Sequence, residues 1–76
     1  MFRFRPIEQQ LSTPELGEYR SYGIQAFITT PAGCEEAGLV SDVSCDPEFT
    51  ACLADRCQRL QLDPVHLMDV ILDALP

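Results

Sequence analysis

The sequence predicts one α+β domain over residues 1–76: a three-stranded antiparallel sheet (a meander) packed on one face by a C-terminal two-helix hairpin. In the first half of the chain apolar residues alternate with polar ones, as in half-buried strands, and in the second half they recur at helical spacing. Two Asp-Pro pairs, at Asp46 and Asp63, mark the starts of two helices. The predicted strands are about residues 2–11, 18–29 and 36–43, and the predicted helices about residues 47–61 and 64–75.

The first strand is predicted to lie at an edge of the sheet. Residues 2–5 alternate apolar and charged side chains, which is a strand pattern. Pro6 then interrupts the segment, and because a proline cannot donate a ladder hydrogen bond it is tolerated mainly at sheet edges. The short connections between strands predict antiparallel neighbours.

The central strand is expected to bury one of its faces, because successive side chains of a strand point to opposite sides of the sheet. One face holds Tyr22, Ile24, Ala26 and Ile28, and the other holds Tyr19, Ser21, Gly23, Gln25 and Phe27. Gly23 within a strand is typical of a bulge or of a close approach by another stretch of backbone. In the third strand, the same alternation predicts Leu39 and Val43 on the covered face and Val40 on the open one.

Both helices begin at an aspartate followed by a proline, the residues preferred at the N-cap and at the first helical position. In the first helix, Asp55 and Arg59 are four residues apart in the order that favours an ion pair. The second helix is expected to turn an apolar stripe toward the sheet, made of Leu67, Met68, Ile71, Leu72 and Leu75. Its far side then carries His66, Asp69, Val70 and Asp73.

The cysteines Cys34, Cys45, Cys52 and Cys57 are expected to be free and mostly buried. Cys52 and Cys57 are five residues apart in one helix, too far around and along the axis for a disulfide. A bridge between Cys34 and Cys45 remains an alternative if the chain doubles back between them. Zinc sites usually gather cysteines two to four residues apart, whereas the intervals here are eleven, seven and five positions. We therefore expect no metal and no cofactor.

The charge of the chain narrows the class of partner. Twelve carboxylates and five arginines, with no lysine, give a net charge of −7, which argues against direct binding to nucleic acid or to anionic lipid. No apolar run approaches the roughly 20 residues of a membrane span, and the N-terminus lacks the apolar region of a signal peptide. A cytoplasmic location is therefore expected. No phosphate loop, nucleophile elbow or paired metal ligands are visible, so no enzymatic activity is expected.

Three short motifs of the chain resemble those of a known family. They are Leu-Gly-Glu-Tyr at 16–19, Tyr-Gly-Ile at 22–24, and Asp-Pro-Val-His-Leu at 63–67 followed by Asp-Val-Ile at 69–71. These motifs, in this order, are similar to those of short proteins of unknown function found mainly in anaerobic Gram-positive bacteria. The resemblance covers about residues 15–75 and implies a bacterial, intracellular setting without an assigned activity. The cysteines are not part of the pattern.

These observations favour a non-enzymatic module that binds or regulates another protein. Two surfaces are candidates: the open sheet face with Tyr19 and Phe27, and the far side of the second helix. That helix face holds His66, Asp69, Val70 and Asp73. An apolar patch on an open sheet face is typical of a homodimer or of a partner-binding surface. The alternative is an acidic inhibitor of the phage-encoded kind, whose carboxylates imitate phosphates and occupy the nucleic-acid-binding groove of a host or defence enzyme.

Overall fold

The computed structural model describes residues 1–75 and shows a three-stranded sheet packed against two helices. Pro76, the last residue of the predicted domain, lies outside the described residues. The strands are antiparallel and lie in the order β1-β2-β3, so the predicted α+β meander is confirmed. The elements are β1 (Phe2–Thr13), β2 (Gly17–Thr30), β3 (Gly33–Ser44), α1 (Pro47–Leu60), a 3₁₀ turn (Pro64–His66) and α2 (Leu67–Ala74).

The strands run further toward their turns than predicted. Residues around Pro14 look like a loop in the sequence, yet Ser12 still pairs with Glu18 and Thr13 with Gly17. Both turns end at a glycine with positive φ, +69° at Gly17 and +130° at Gly33. Glycine reaches this region without a steric penalty, so each chain reversal is completed within a few residues.

Helix α1 begins where the sequence predicts and ends one residue earlier. The Asp46 carboxylate accepts a hydrogen bond of 2.9 Å from the N–H of Glu48, which makes Asp46 the N-cap. The helix ends because Gln61 adopts the left-handed conformation, with φ 49° and ψ 48°. The predicted pair between Asp55 and Arg59 forms, at 2.9 Å.

The second helix begins with a tighter turn than predicted. Asp63 caps it as expected, since its carboxylate accepts from the N–H of Val65 at 3.1 Å. Pro64–His66 is a 3₁₀ turn, however, and the regular α-helix starts only at Leu67. His66 has φ −97° and ψ 2°, which is not α-helical geometry. The predicted single helix over 64–75 is therefore wrong in its first turn.

Helix α2 is rotated relative to the predicted stripe. Leu67 and Ile71 are buried as expected, but Met68 and Leu72 are 51% and 60% exposed. Val70, expected on the far side, is half-buried and packs against the core. Apolar residues cover roughly 200° of this helix at 100° per residue, whereas the sheet covers a narrower arc. The apolar pattern alone therefore could not show which part of that arc faces inward.

Strand β3 is irregular, and this reverses two predicted side-chain orientations. Leu39 pairs with Gln25 on the open side, whereas Val40 pairs with Ile24 on the covered side. The predicted orientations of Leu39 and Val40 are thus wrong, while Val43 is buried as expected. Between the Val40–Ile24 and Ser44–Tyr22 pairs, three residues of β3 lie opposite the single residue Gly23 of β2, and Asp42 among them has φ 55°. This bulge lets Val40 and Val43 both face inward at an odd spacing.

The core lies between the sheet and the helices. It draws residues from all three strands and both helices: Phe4, Ile24, Ala26, Val43, Leu53, Ala54, Cys57, Leu67 and Ile71. Burying this apolar surface is the main force that holds the two layers together.

The cysteines are free, as predicted, but they are not mostly buried. Cys34, Cys45 and Cys52 are exposed and only Cys57 is buried. Cys34 lies near the start of β3 and Cys45 directly after its end, up to about 36 Å away at about 3.3 Å per residue, so the alternative of a bridge between them is excluded. Burial raises the pKa of the Cys57 thiol above its ordinary value of 9.0.

Two glutamines of α1 cover the beginning of the β1 edge. The side chain of Gln58 accepts from the N–H of Phe4 at 2.9 Å and donates to the carbonyl of Phe2 at 3.0 Å. Gln61 accepts from the N–H of Phe2 at 2.9 Å and donates to the same carbonyl at 3.0 Å. These side chains satisfy edge groups that would otherwise lack a protein partner.

Replacing Gln58 by alanine is expected to lower the free energy of unfolding by about 1–2 kcal/mol, because two part-buried hydrogen bonds are lost. Urea denaturation measures the change. Gln10→Ala, at an exposed position of β1, the strand that Gln58 contacts, serves as the control. Its free energy of unfolding should stay within about 0.5 kcal/mol of that of the wild type. Equal losses in the two variants would show that Gln58 does not hold the strand.

Candidate binding face on the open side of the sheet

One face of the sheet is left uncovered by the helices that the structure describes. The helices pack on the side that carries Phe4, Ile24 and Ala26. These residues have even numbers, so the odd-numbered side chains of β1 and β2 point to the other side, which we call the open face. Its main residues are Arg3, Arg5, Ile7, Gln9 and Leu11 from β1, Tyr19, Ser21, Gln25 and Phe27 from β2, and Glu36 and Leu39 from β3. The predicted open-face residues Tyr19 and Phe27 both lie there.

The Phe27 end of the open face combines an aromatic ring with fixed positive charge. The Arg5 guanidinium carbon lies 5.0 Å from the centre of the Phe27 ring. Nε and Nη2 of Arg5 donate to Oε1 of Gln25 at 3.2 and 3.0 Å, so the guanidinium is held in place. Leu39 of β3, which is 47% exposed, pairs with Gln25 of β2. A groove of about 470 Å³ beside this group is lined by Arg3, Phe4, Arg5, Phe27, Cys34 and Gln58.

The other end of the open face is organised around Asp42. Its Oδ1 accepts from the Ser21 hydroxyl at 2.7 Å, and its Oδ2 accepts from the Tyr19 hydroxyl at 3.0 Å. Ser21 is fully buried, and this polar residue is tolerated there because its hydroxyl bonds Asp42 and also lies 3.2 Å from the carbonyl oxygen of Ser44. The left-handed conformation of Asp42 aims its carboxylate across the sheet toward β2.

Gly23 lets a side chain of β1 cross over the central strand. Gln9 reaches past Gly23 to β3, where its Oε1 accepts from the N–H of Asp42 at 2.9 Å and its Nε2 donates to Ser41 Oγ at 3.2 Å. A Cβ on Gly23 would lie 2.5 Å from the Val40 carbonyl oxygen and 2.9 Å from Gln9 Oε1. The predicted close backbone approach at Gly23 is therefore confirmed, and the pairing of β2 with β3 also shifts at this point.

Tyr19 is expected to ionise at higher pH than an ordinary tyrosine. The hydrogen bond to the Asp42 carboxylate, and the repulsion between that carboxylate and a phenolate, raise the pKa of Tyr19 above 10.0. In a Tyr22→Phe background Tyr19 is the last tyrosine, so the phenolate absorbance reports on it alone. Asp42→Asn should move the midpoint down toward 10.0. If the titration midpoint of Tyr19 were the same with Asp and with Asn at position 42, the hydrogen bond between Tyr19 and Asp42 would be contradicted.

The second predicted surface is on the opposite side of the molecule. His66, Asp69 and Asp73 are exposed on the helix layer, whereas Val70 is half-buried and packs against the core. The helix residues therefore cannot join Tyr19 and Phe27 in one contact. Tyr19 and Phe27 are themselves about 26 Å apart along β2, at about 3.3 Å per residue. The open face is thus long, with a polar end and an aromatic end.

Sequence reasoning missed several residues of the open face. Asp42 and Gln9 meet only because β3 bulges and Gly23 leaves room, and Gly23 was the one visible signal. Arg5 and Leu39 could have been found from strand pairing, once the register was known.

Two kinds of feature, a membrane-spanning helix and a metal-ligand cluster, are absent from the described part of the chain. Neither α1, with 14 residues, nor α2, with eight, has the length of a membrane-spanning helix. In the same part of the chain, no group of three or more His, Cys, Asp and Glu side chains is placed to hold a metal ion.

Comparison with known proteins places the chain in a family but gives it no activity. No curated protein and no solved structure matches the sequence. A family model described as "Family of unknown function (DUF6514)" matches residues 2–76, nearly the whole chain. The resemblance to a family of unknown function is confirmed at that level, and the bacterial setting stays a prediction. The chain therefore belongs to this family of unknown function, DUF6514.

Proposed function

We propose that this chain is a non-enzymatic protein-binding module whose contact surface is the open face of its sheet. The observation that carries the proposal is the arrangement at the Phe27 end. There an aromatic ring, an ordered arginine and a half-exposed leucine share a face that none of the described helices covers. Aromatic residues and arginine are enriched in protein–protein interfaces and among their energetic hot spots.

The fixed conformations of these side chains favour binding. Arg5 is held by Gln25 and by the Phe27 ring, so little of its conformational freedom remains to be lost when a partner docks. At the other end, Asp42 fixes Tyr19 in the same way. A surface whose long side chains are already fixed binds with a smaller entropic penalty than a mobile one.

The chemistry of the open face also suggests the character of the partner. Arg3 and Arg5 lie together at the Phe27 end, although the whole chain has a net charge of −7. A partner that docks there would offer an apolar centre for Phe27 and Leu39 and carboxylates or carbonyl groups for the arginines. A second copy that docks through the same face is another occupant consistent with this surface.

Affinity capture from a lysate of the source organism tests the proposal. The wild type is compared with Phe27→Thr, which keeps a residue suited to strands, and with Leu60→Thr on α1, where the leucine is 71% exposed. A partner that is retained by the wild type and Leu60→Thr but lost with Phe27→Thr would support the open face. A partner retained equally by all three would exclude the Phe27 end.

Repeating the capture at higher salt addresses the alternative of an acidic inhibitor. Such an inhibitor would hold a basic nucleic-acid-binding protein through its carboxylates, so binding would fall steeply as salt rises. Phe27→Thr would then have little effect. The positions of the carboxylates do not favour this alternative, since they are spread over the first hairpin turn, all three strands and both helices.

A further inference from the structure

The two edges of the sheet are protected to different extents. Along β3, Gly38 pairs with Ala26 and Glu36 with Phe27, so Ala37 is an extra residue that breaks the regular ladder. Asp42 interrupts the same strand again with its positive φ. Irregularities of this kind, together with the exposed charges of Glu35 and Glu36, discourage a further strand from pairing at an edge.

The β1 edge is covered over its first residues only. Phe2 and Phe4 give their N–H groups to Gln61 and Gln58, and Pro6 has no N–H to offer. Among the described residues, the hydrogen bonds from the helices to β1 end at Phe4, and beyond Pro6 the only strand that pairs with β1 is β2. No residue from 5 to 20 is buried, so this part of the β1–β2 hairpin is well exposed.

The register shows which backbone groups of β1 face outward. The N–H groups of Phe2 and Phe4 point away from β2, and β1 pairs with β2 without any register shift as far as Thr13. All even-numbered residues of β1 therefore direct their N–H and C=O groups away from β2. Glu8, Gln10 and Ser12 are the even-numbered positions beyond Pro6, so each presents an outward donor and an outward acceptor.

We propose that this segment, residues 8–12 of β1, pairs with the same segment of a second copy of the chain. The two strands would lie antiparallel with Gln10 opposite Gln10 of the second copy and Glu8 opposite Ser12. The two residues of each such pair exchange both backbone hydrogen bonds. The proposal is independent of the binding role of the open face and uses a different surface.

The side chains of the segment fit a second copy. Residues 9–13, Gln-Gln-Leu-Ser-Thr, carry no charge, in a chain whose net charge of −7 would otherwise oppose self-association. The one carboxylate of the segment, on Glu8, is already paired with Arg20 at 2.8 Å, and in this register it faces a serine. Pro6 and Pro14 flank the segment and limit the pairing to the residues between them.

Such pairing would double the three-stranded sheet into one continuous sheet. Its two-fold axis is perpendicular to the sheet, so the open faces of both copies lie on the same side and the helices on the other. Thr13 of the second copy would fall opposite Ile7. The pairing therefore stops before the stretch of β1 that Gln58 and Gln61 cover.

Sedimentation equilibrium between micromolar and millimolar concentration tests the proposal with two variants of one residue. Gln10→Pro removes the outward N–H at the centre of the pairing, whereas Gln10→Ala keeps it. We expect the wild type and Gln10→Ala to reach twice the monomer mass and Gln10→Pro to remain a monomer with an unchanged circular-dichroism spectrum. A wild type that stays monomeric, or a dimer that survives Gln10→Pro, would overturn the proposal.

Amide hydrogen exchange of the wild type gives a readout that does not depend on the folding of a variant. The amides of Glu8, Gln10 and Ser12 should exchange fast in dilute solution and at least tenfold more slowly at the concentration where the dimer forms. The amides of Gln9 and Leu11, which point toward β2, provide the control and should change little. Exchange at positions 8, 10 and 12 that is independent of concentration would also overturn the proposal.

Discussion

Gly23→Ala is expected to lower the free energy of unfolding by about 3 kcal/mol, one of the two largest effects that the structure predicts. The new Cβ would lie 2.5 Å from the backbone oxygen of Val40, a distance that requires β2 and β3 to move apart. It would also displace the Gln9 side chain and leave the N–H of Asp42 without that partner. Domains of this size are stable by only about 4–11 kcal/mol, so the loss should be plain in a urea denaturation curve.

Gly38→Ala is the matched control for this prediction. Gly38 lies in β3, and a Cβ there would meet the nearest heavy atom, Cβ of Pro64, at 3.9 Å, which is ordinary contact. The substitution should be neutral or slightly stabilising, because alanine reduces the freedom of the unfolded chain. If Gly23→Ala were as mild as Gly38→Ala, the crossing of Gln9 over β2 would not be a constraint on the fold.

Ile71→Ala is expected to cost about 2–5 kcal/mol, because it removes a fully enclosed side chain from the contact between α2 and the sheet. Ile71 is 2% exposed and is among the largest fully buried side chains. The cavity would lie under an eight-residue helix that is too short to persist by itself, so α2 should detach or shift. Thermal and urea denaturation would both report the loss.

Leu72→Ala, one position along the same helix, separates the observed orientation of α2 from the one that the apolar pattern favours. Leu72 is 60% exposed, so its truncation should change stability by at most about 0.5 kcal/mol. A large loss of stability in Leu72→Ala with a small one in Ile71→Ala would mean that α2 is rotated about its axis by up to about 100°, so that Leu72 and not Ile71 faces the sheet.

The elements that the sequence predicts well are those with local chemical signals. Asp46-Pro47 and Asp63-Pro64 start their helices where expected, since a carboxylate N-cap and a proline at the first position act within one turn. The alternation in β2 identifies Ile24 and Ala26 as core residues, because strand periodicity follows directly from backbone geometry.

The features that sequence reasoning missed depend on contacts between distant segments. The left-handed Asp42 shifts the phase of β3, and alternation counted along the sequence then assigns Leu39 and Val40 to the wrong faces. In the same way, the wide apolar arc of α2 leaves its rotation to be decided by packing, which is why Val70 turns inward and Leu72 outward.

The candidate site was predicted in outline but not in its organisation. Tyr19 and Phe27 were placed on the open face from parity alone, and the structure agrees. Their partners, Asp42 for Tyr19 and Arg5 for Phe27, come from neighbouring strands whose register the sequence does not state. His66, Asp69 and Asp73 remain an exposed helix face with no described contact to the open face, so they form a separate surface.

The most direct test of the open face as the contact surface is to follow the backbone amide shifts of the labelled protein while the captured partner is added. We predict that the largest changes fall on Phe27, Gln25 and Leu39, at the aromatic end of the open face. Amides of His66, Asp69 and Asp73 should hardly move. Changes confined to these helix residues, with the open face unaffected, would contradict the proposal and assign binding to the opposite side of the protein.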